Sequence, residues 1–181
     1  SEFRYRDPIL TPDTLVVAIS QSGETADTLA ALRLAKEKKI MTAAIVNVVG
    51  SSIAREADRV LYTKAGPEIS VATTKAYSAQ LITGYILAMA LAKSKGLLPH
   101  EIERGYVEAL ASLPEKIESI FADESAIQKL ATQVAAEDDV FFVGRGIDYA
   151  ICMEGSLKLK EISYIHSEAY AAGELKHGTI S

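Results

Sequence analysis

One turn near the start of the chain contains four side chains that can donate hydrogen bonds to an anion. The turn follows an aliphatic run at residues 15–19 and precedes a helix-forming segment. Its four polar side chains are Ser20, Gln21, Ser22 and Thr25. Hydroxyl groups beside the free N–H groups of a helix N-terminus, where the dipole is positive, can cradle a phosphate. The alternative is a simple helix cap, since one such side chain would satisfy those N–H groups.

The expected phosphate does not belong to a nucleotide. The turn lacks the glycine spacing of the dinucleotide fingerprint and the Gly-Lys-Ser/Thr ending of a nucleotide P-loop. Gly23 lets the backbone turn tightly and lets a ligand approach it closely. These features predict a phosphorylated small molecule as the ligand.

A second group of charged residues could perform acid–base chemistry. Glu154, Lys158 and Glu161 are spaced i, i+4 and i+7, which places them on one face of a helix. An ammonium group keeps a neighbouring carboxylate ionised, so the set could move a proton. The spacing alone favours the alternative, a solvated stripe stabilised by Glu–Lys pairs. His177 lies in a Gly-flanked turn where an imidazole could reach a cleft, although a single loop histidine is more often a surface residue.

Composition limits the classes of function. The 181 residues are 49% hydrophobic and 24% charged, which is typical of one large or two small globular domains. A net charge of -5 without a Lys/Arg-rich run argues against a nucleic-acid surface. The single cysteine, Cys152, excludes an internal disulfide, and no Cys or His spacing indicates a metal site. We expect no metal and no cofactor.

Hydrophobic patterning predicts an α/β protein with no membrane span. There is no signal-peptide pattern, and the apolar stretch at 81–92 is too short to cross a bilayer, so a soluble cytoplasmic protein is expected. Alternating strands and helices in the first third predict a parallel sheet covered by helices. The expected strands lie at residues 3–6, 15–19, 42–48, 59–62 and 140–143. The expected helices lie at 26–39, 50–57, 73–95, 101–121 with a break at Pro114, 125–136 and 149–163, and an irregular segment follows at 167–181.

Several long motifs carry a resemblance to a known family. SQSGETADT, NVVGSS, GPEISVATTKAY and EGSLKLKEISYIHSEAYAAGELKHG occur in this order. They resemble the isomerase region of the glutamine–fructose-6-phosphate amidotransferases, and the similarity runs over essentially the whole chain. The resemblance implies two flavodoxin-like sugar isomerase (SIS) domains, each a three-layer αβα fold around a parallel sheet. They would occupy residues 1–97 and 98–181, both incomplete.

The resemblance also implies a reaction and a substrate. Fructose 6-phosphate and glutamine-derived ammonia would give glucosamine 6-phosphate through an aldose–ketose type proton shift. The residues of the predicted cradle match the family's phosphate-binding residues. Val71 and Thr73 match positions that contact the sugar, and Thr73 keeps the hydroxyl of the serine that is common there.

The same resemblance assigns catalytic roles that spacing alone could not. Glu161 matches the base that moves a proton between C1 and C2. His177 matches the residue that opens the sugar ring, delivered from the neighbouring subunit of a homodimer. Glu154 and Lys158 match a supporting charged pair on the same helix.

Parts of the family's full pattern have no counterpart in this chain. They are the glutaminase domain with its nucleophilic cysteine, the opening strand and Gly-Thr-Ser loop of the first SIS domain, and a C-terminal lysine. We therefore expect an internal fragment that is inactive or impaired on its own. The alternatives are another SIS-type enzyme, such as a sugar-phosphate deaminase or deglycase, and a non-catalytic sugar-phosphate-binding regulatory domain.

Overall fold

The computed structural model describes residues 2–178 of the chain, which divides into two compact units. The first unit is Ser1–Leu110 and the second is Ala111–Ser181. The helix at 100–111 falls largely in the first unit. Its Glu103 carboxylate forms a 2.7 Å ion pair with the Lys93 ammonium of the preceding helix. The sequence predicts a boundary between two SIS domains at residue 97. The two compact units are a different kind of division, so that boundary stays a prediction.

The first unit alternates strands and helices as the sequence predicts. Its elements are α1 Glu2–Tyr5, β1 Leu15–Ser20, α2 Ala26–Glu37, β2 Met41–Val46, α3 Ser52–Glu56, β3 Arg59–Tyr62, α4 Thr74–Ser94 and α5 His100–Ala111, which ends at the unit boundary. The expected strand at 3–6 is wrong. Those residues form the helical turn α1, in which Arg6 N–H donates to the Glu2 carbonyl and the Arg4 guanidinium pairs with Asp27 of α2.

The three strands of the first unit form a parallel sheet in the order β1-β2-β3. The register pairs Ser20 with Val46 and Val46 with Tyr62, so the carboxyl ends of all three strands meet at one edge. The loops that follow them must therefore emerge together. Under this edge lies a core of aliphatic side chains from the sheet and from α2 and α3, comprising Ala18, Leu32, Ala44, Val46 and Ile53.

The second unit contains a shorter parallel sheet. Its elements are α6 Leu113–Phe121, α7 Ser125–Val134, β4 Asp139–Gly144, α8 Ile147–Ser163 and β5 His166–Ala171. The strands β4 and β5 pair in parallel from Asp139 with His166 to Gly144 with Ala171. Together with the first sheet, these parallel strands and flanking helices confirm the α/β fold class.

The prediction of an irregular segment at 167–181 is wrong for its first residues, because β5 includes Ser167 to Ala171. The reason is a buried polar contact that hydropathy does not reveal. The Ser167 and Ser156 hydroxyl groups lie 3.0 Å apart, and each donates to the other's backbone carbonyl. This contact joins β5 to α8. Residues 179–181 of the expected segment lie outside the described residues.

Candidate functional site

The turn between β1 and α2 holds its hydroxyl groups together. Ser20 Oγ lies 3.1 Å from Thr25 Oγ1 and accepts a 3.1 Å hydrogen bond from Gly23 N–H. Ser22 Oγ accepts a 3.2 Å bond from Glu24 N–H. Thr25 occupies the N-cap position of α2, yet its side chain makes no cap hydrogen bond. Its hydroxyl thus faces Ser20 instead of serving the helix, an arrangement that the simple cap does not require.

The turn is anchored to the start of α3. Gly23 has a φ of +68°, and a Cβ there would lie only 2.0 Å from Ser51 Oγ. The Gly23 carbonyl accepts a 2.9 Å bond from Ile53 N–H, and Glu24 accepts a 2.7 Å bond from Ser52 N–H. Hydrogen bonding to Ser52 lowers the pKa of the Glu24 carboxyl below its usual value. The carboxylate therefore stays charged and helps to fix the turn.

The predicted sugar-contacting residues lie in the long loop after β3. Val71 is 89% exposed, and Thr73 adopts left-handed backbone angles of φ 57° and ψ 44° just before α4. The Thr73 hydroxyl donates a 3.0 Å bond to the Val71 carbonyl. A cavity of about 660 Å³ opens beside this loop, with Gln21 on one wall and Lys64 on another. The loop and the turn thus emerge at the same edge of the sheet.

The three charged residues of α8 do form one cluster. Lys158 Nζ lies 2.9 Å from Glu161 Oε2 and 3.4 Å from Glu154 Oε1. The side chains of Glu154 and Lys158 are 25% and 21% exposed, and that of Glu161 is 37% exposed. The hydrogen bond to Glu161 raises the pKa of Lys158, and the charge of Glu154 adds to this effect. The ammonium therefore stays protonated between two carboxylates, of which Glu161 is the more accessible.

His177 lies in the turn that follows β5. Its side chain is exposed, and its backbone N–H donates a 2.9 Å bond to the Glu174 carbonyl. Within residues 2–178, no hydrogen bond or ion pair joins His177 to the cluster on α8. The cradle belongs to the first unit, whereas the α8 cluster and His177 belong to the second.

Two further residues at this edge of the first sheet were not predicted from the sequence. The Asn47 side chain bonds three groups of the loop after β3, and Glu68 bonds the start of α4. Asn47 directly follows β2, and Glu68 lies in the loop before α4. A polar residue at such a position is a signal that could have indicated a role in the loop. The partners of both residues are mainly backbone groups, which hydrophobic patterning does not reveal.

The described part of the chain offers neither a cluster of metal ligands nor a membrane-spanning helix. No group of three or more His, Cys, Asp or Glu side chains there is arranged to hold a metal ion. None of the helices between residues 2 and 178 has both the length and the apolar character that a membrane crossing requires.

Comparison with known proteins defines the class to which this fold and site belong. The SIS domain family matches residues 1–90 and 133–181, which is most of the chain. The chain therefore belongs to the SIS domain family.

Two curated relatives with high sequence identity to this chain have the same name. The glutamine–fructose-6-phosphate aminotransferase (isomerizing) of Clostridium tetani is 60% identical over all 181 residues, and that of Caldanaerobacter subterraneus is 57% identical. The chain spans 30% of the length of each. A solved C-terminal domain of glucosamine-fructose-6-phosphate aminotransferase from Francisella tularensis is 43% identical with a TM-score of 0.95, over 99% of this chain and 51% of that one.

Proposed function

We propose that the chain supplies the isomerase region of a glutamine–fructose-6-phosphate aminotransferase. The observation that carries this proposal is the similarity over all 181 residues of the chain, at 60% identity, to a protein of that name. The hydroxyl cradle and the carboxylate–ammonium cluster give the chain groups suited to an anchored phosphate and a proton transfer. In the cytoplasm, the substrates would be fructose 6-phosphate and ammonia from glutamine.

The cradle would hold the phosphate, the end of the substrate that does not react. Ser22 and one hydroxyl of the Ser20–Thr25 pair would donate hydrogen bonds, the other hydroxyl of that pair would orient the donor, and Gln21 would add an amide at the rim of the neighbouring cavity. The N-terminus of α2 favours a negative charge at this position. Val71 and Thr73 would contact the sugar.

Glu161 would carry the proton shift. Ammonia adds to the C2 carbonyl and water leaves, which produces an imine. The Glu161 carboxylate then removes a proton from C1 and returns it to C2, while the C1 hydroxyl proton passes to the imine nitrogen, so that an amino aldose phosphate results. Lys158 would hold that carboxylate in place through their ion pair, and Glu154 would hold the ammonium in place. No bound metal or cofactor takes part in this scheme.

His177 would open the sugar ring by proton transfer, acting from the neighbouring subunit of a homodimer. An exposed side chain at the end of a turn is suited to reach a neighbouring molecule.

The proposal is tested by incubating the intact enzyme with fructose 6-phosphate and either glutamine or an ammonium salt. We expect glucosamine 6-phosphate to form with both nitrogen sources. Hexose-phosphate binding without turnover would instead indicate a regulatory domain. Release of ammonia from glucosamine 6-phosphate without net synthesis would indicate a deaminase. Either result would contradict the proposal.

A further inference from the structure

Asn47 links the cradle to the loop after β3. Its side-chain Oδ1 accepts bonds from the Thr63 hydroxyl at 3.0 Å and from Ala65 N–H at 2.9 Å. Its Nδ2 donates a 2.7 Å bond to the Gly66 carbonyl. Its own backbone N–H donates a 3.0 Å bond to the Gln21 carbonyl. One residue at the end of β2 therefore fixes the start of the loop relative to the cradle.

Glu68 fixes the other end of the same loop. Its Oε2 accepts a 3.1 Å bond from Ala76 N–H in the first turn of α4. That N–H lacks a partner within the helix, and a negative charge is favoured at the helix N-terminus. The bond closes a short loop that contains both Val71 and Thr73. The polar anchors at residues 47 and 68 thus enclose the predicted sugar-contacting segment.

The segment between the anchors is strained at Thr73. A β-branched residue rarely adopts a positive φ, yet Thr73 has a φ of 57°. Such a conformation persists only where the surrounding structure fixes it, and it is found preferentially at functional sites. Here the Glu68 bond to α4 and the Thr73 hydroxyl bond to the Val71 carbonyl help to fix it, together with the backbone bond from Thr73 N–H to the Ser70 carbonyl.

We propose that Asn47 and Glu68 are positioning residues for the hexose moiety of the substrate. They act through the loop: they hold Val71 and Thr73 in the conformation that meets a sugar whose phosphate occupies the cradle. This inference rests on the proposed function. Because the loop is already ordered, binding of the sugar does not carry the entropic cost of ordering it. Without these anchors that cost would weaken affinity for the sugar phosphate, but not for a lone phosphate, which does not contact the loop.

Calorimetric titration of the intact enzyme with two probes tests this role. For Glu68→Ala we expect the Kd of fructose 6-phosphate to rise about ten-fold, since loss of a helix cap has effects of this size. The Kd of inorganic phosphate should stay within about two-fold, because phosphate needs only the cradle. Glu68→Gln keeps an acceptor oxygen and should recover most of the affinity. The exposed Glu37 at the end of α2 provides the matched control, Glu37→Ala.

Asn47→Ala should reproduce the same pattern. It removes three hydrogen bonds to the loop but leaves the backbone bond to Gln21. Equal losses for both probes would mean that the residues only support folding, and no loss for either would also overturn the proposal. If the wild type bound inorganic phosphate but not fructose 6-phosphate, the proposed function would fail as well. If the wild type bound fructose 6-phosphate and Glu68→Ala bound it with the same Kd, only the positioning role would be contradicted.

Discussion

The hydroxyl groups of Ser20 and Thr25 lie in hydrogen-bonding contact across the turn after β1. Each hydroxyl has a single hydrogen, so one of the two donates in this contact and the other keeps its donor for an anion. Because the turn is fixed by its own hydrogen bonds, the cradle is ordered before a ligand arrives. Such preorganisation lowers the entropic cost of binding.

Removing two cradle hydroxyls should weaken sugar-phosphate binding. For the double variant Ser22→Ala with Thr25→Ala, we expect the Kd of fructose 6-phosphate to rise about a hundred-fold, since each bond to a charged group contributes ~1.5 kcal/mol or more. Titration calorimetry measures the change. The matched control, Ser119→Ala with Thr132→Ala, removes hydroxyls that bond only carbonyls of α6 and α7. Equal affinity of the wild type for phosphate-free fructose would contradict the phosphate role.

Gly23 is required by the packing of the turn against Ser51. A Cβ at Gly23 would lie 2.0 Å from Ser51 Oγ, and its positive φ adds strain. We expect Gly23→Ala to lower the free energy of unfolding by about 3 kcal/mol, measured by urea denaturation. Gly50→Ala is the control, because Gly50 has a φ of +74° but nothing lies near its absent Cβ. Similar losses for the two variants would show that the clash with Ser51 has no effect.

Residue types alone predict the cradle, which stays a prediction, but they could not assign a role to Glu161. A carboxylate–ammonium–carboxylate spacing also occurs on solvated helices, so the family resemblance was needed. Asn47 and Glu68 were not found by either route. Their partners lie 16 to 19 residues away for Asn47 and 8 residues away for Glu68, and most are backbone groups. Sequence patterns carry little information on such contacts.

Apart from α1, the strands and helices of the first unit follow hydrophobic periodicity closely. The predicted strand at 59–62 coincides with β3, and α2 and α4 begin and end within a few residues of their predicted limits. Periodicity failed for β5, where HSEAYA has no aliphatic run. That strand is stabilised by its pairing with β4 and by the buried Ser156–Ser167 contact. Tertiary contacts of this kind overrule local patterns.

Asp58 stabilises the opposite edge of the first sheet in a pH-dependent way. It accepts bonds from Thr42 N–H at 2.9 Å and from the Thr42 hydroxyl at 2.7 Å, and it pairs with Lys36. Hydrogen bonds from Thr42, aided by Lys36, lower the pKa of Asp58 from 3.8 to about 2. A depressed carboxyl pKa stabilises the fold above the unfolded pKa, and this contribution is lost as the pH falls through the folded pKa.

We therefore expect stability to fall between about pH 4 and pH 2 in part through Asp58. Asp58→Asn should be less stable than wild type at neutral pH and should show a shallower decline over that interval. Thermal unfolding at several pH values measures both effects. Asp13→Asn, at an exposed turn position, serves as the control. A decline for Asp58→Asn as steep as that of the wild type would contradict this assignment.

The proposed homodimer makes a prediction for the whole molecule. If His177 acts in the active site of its neighbour, Glu161→Gln and His177→Ala disable different sites in a mixed dimer. Mixing the two inactive variants under subunit exchange should restore about a quarter of wild-type glucosamine 6-phosphate formation, because half of the dimers are mixed and each keeps one intact site. Each variant mixed with itself is the control. No recovery, with exchange verified, would show that Glu161 and His177 act within one subunit.

We propose that this SIS-domain chain performs a proton transfer with Glu161 and anchors its substrate at the separate cradle. The most direct measurement compares turnover and substrate binding in the intact enzyme carrying Glu161→Gln, with Glu101→Gln on α5 as the control. We predict that glucosamine 6-phosphate formation falls by about a thousand-fold. The Kd of fructose 6-phosphate should change by less than about three-fold, since the cradle is unaltered. Turnover close to that of the wild type would contradict the claim.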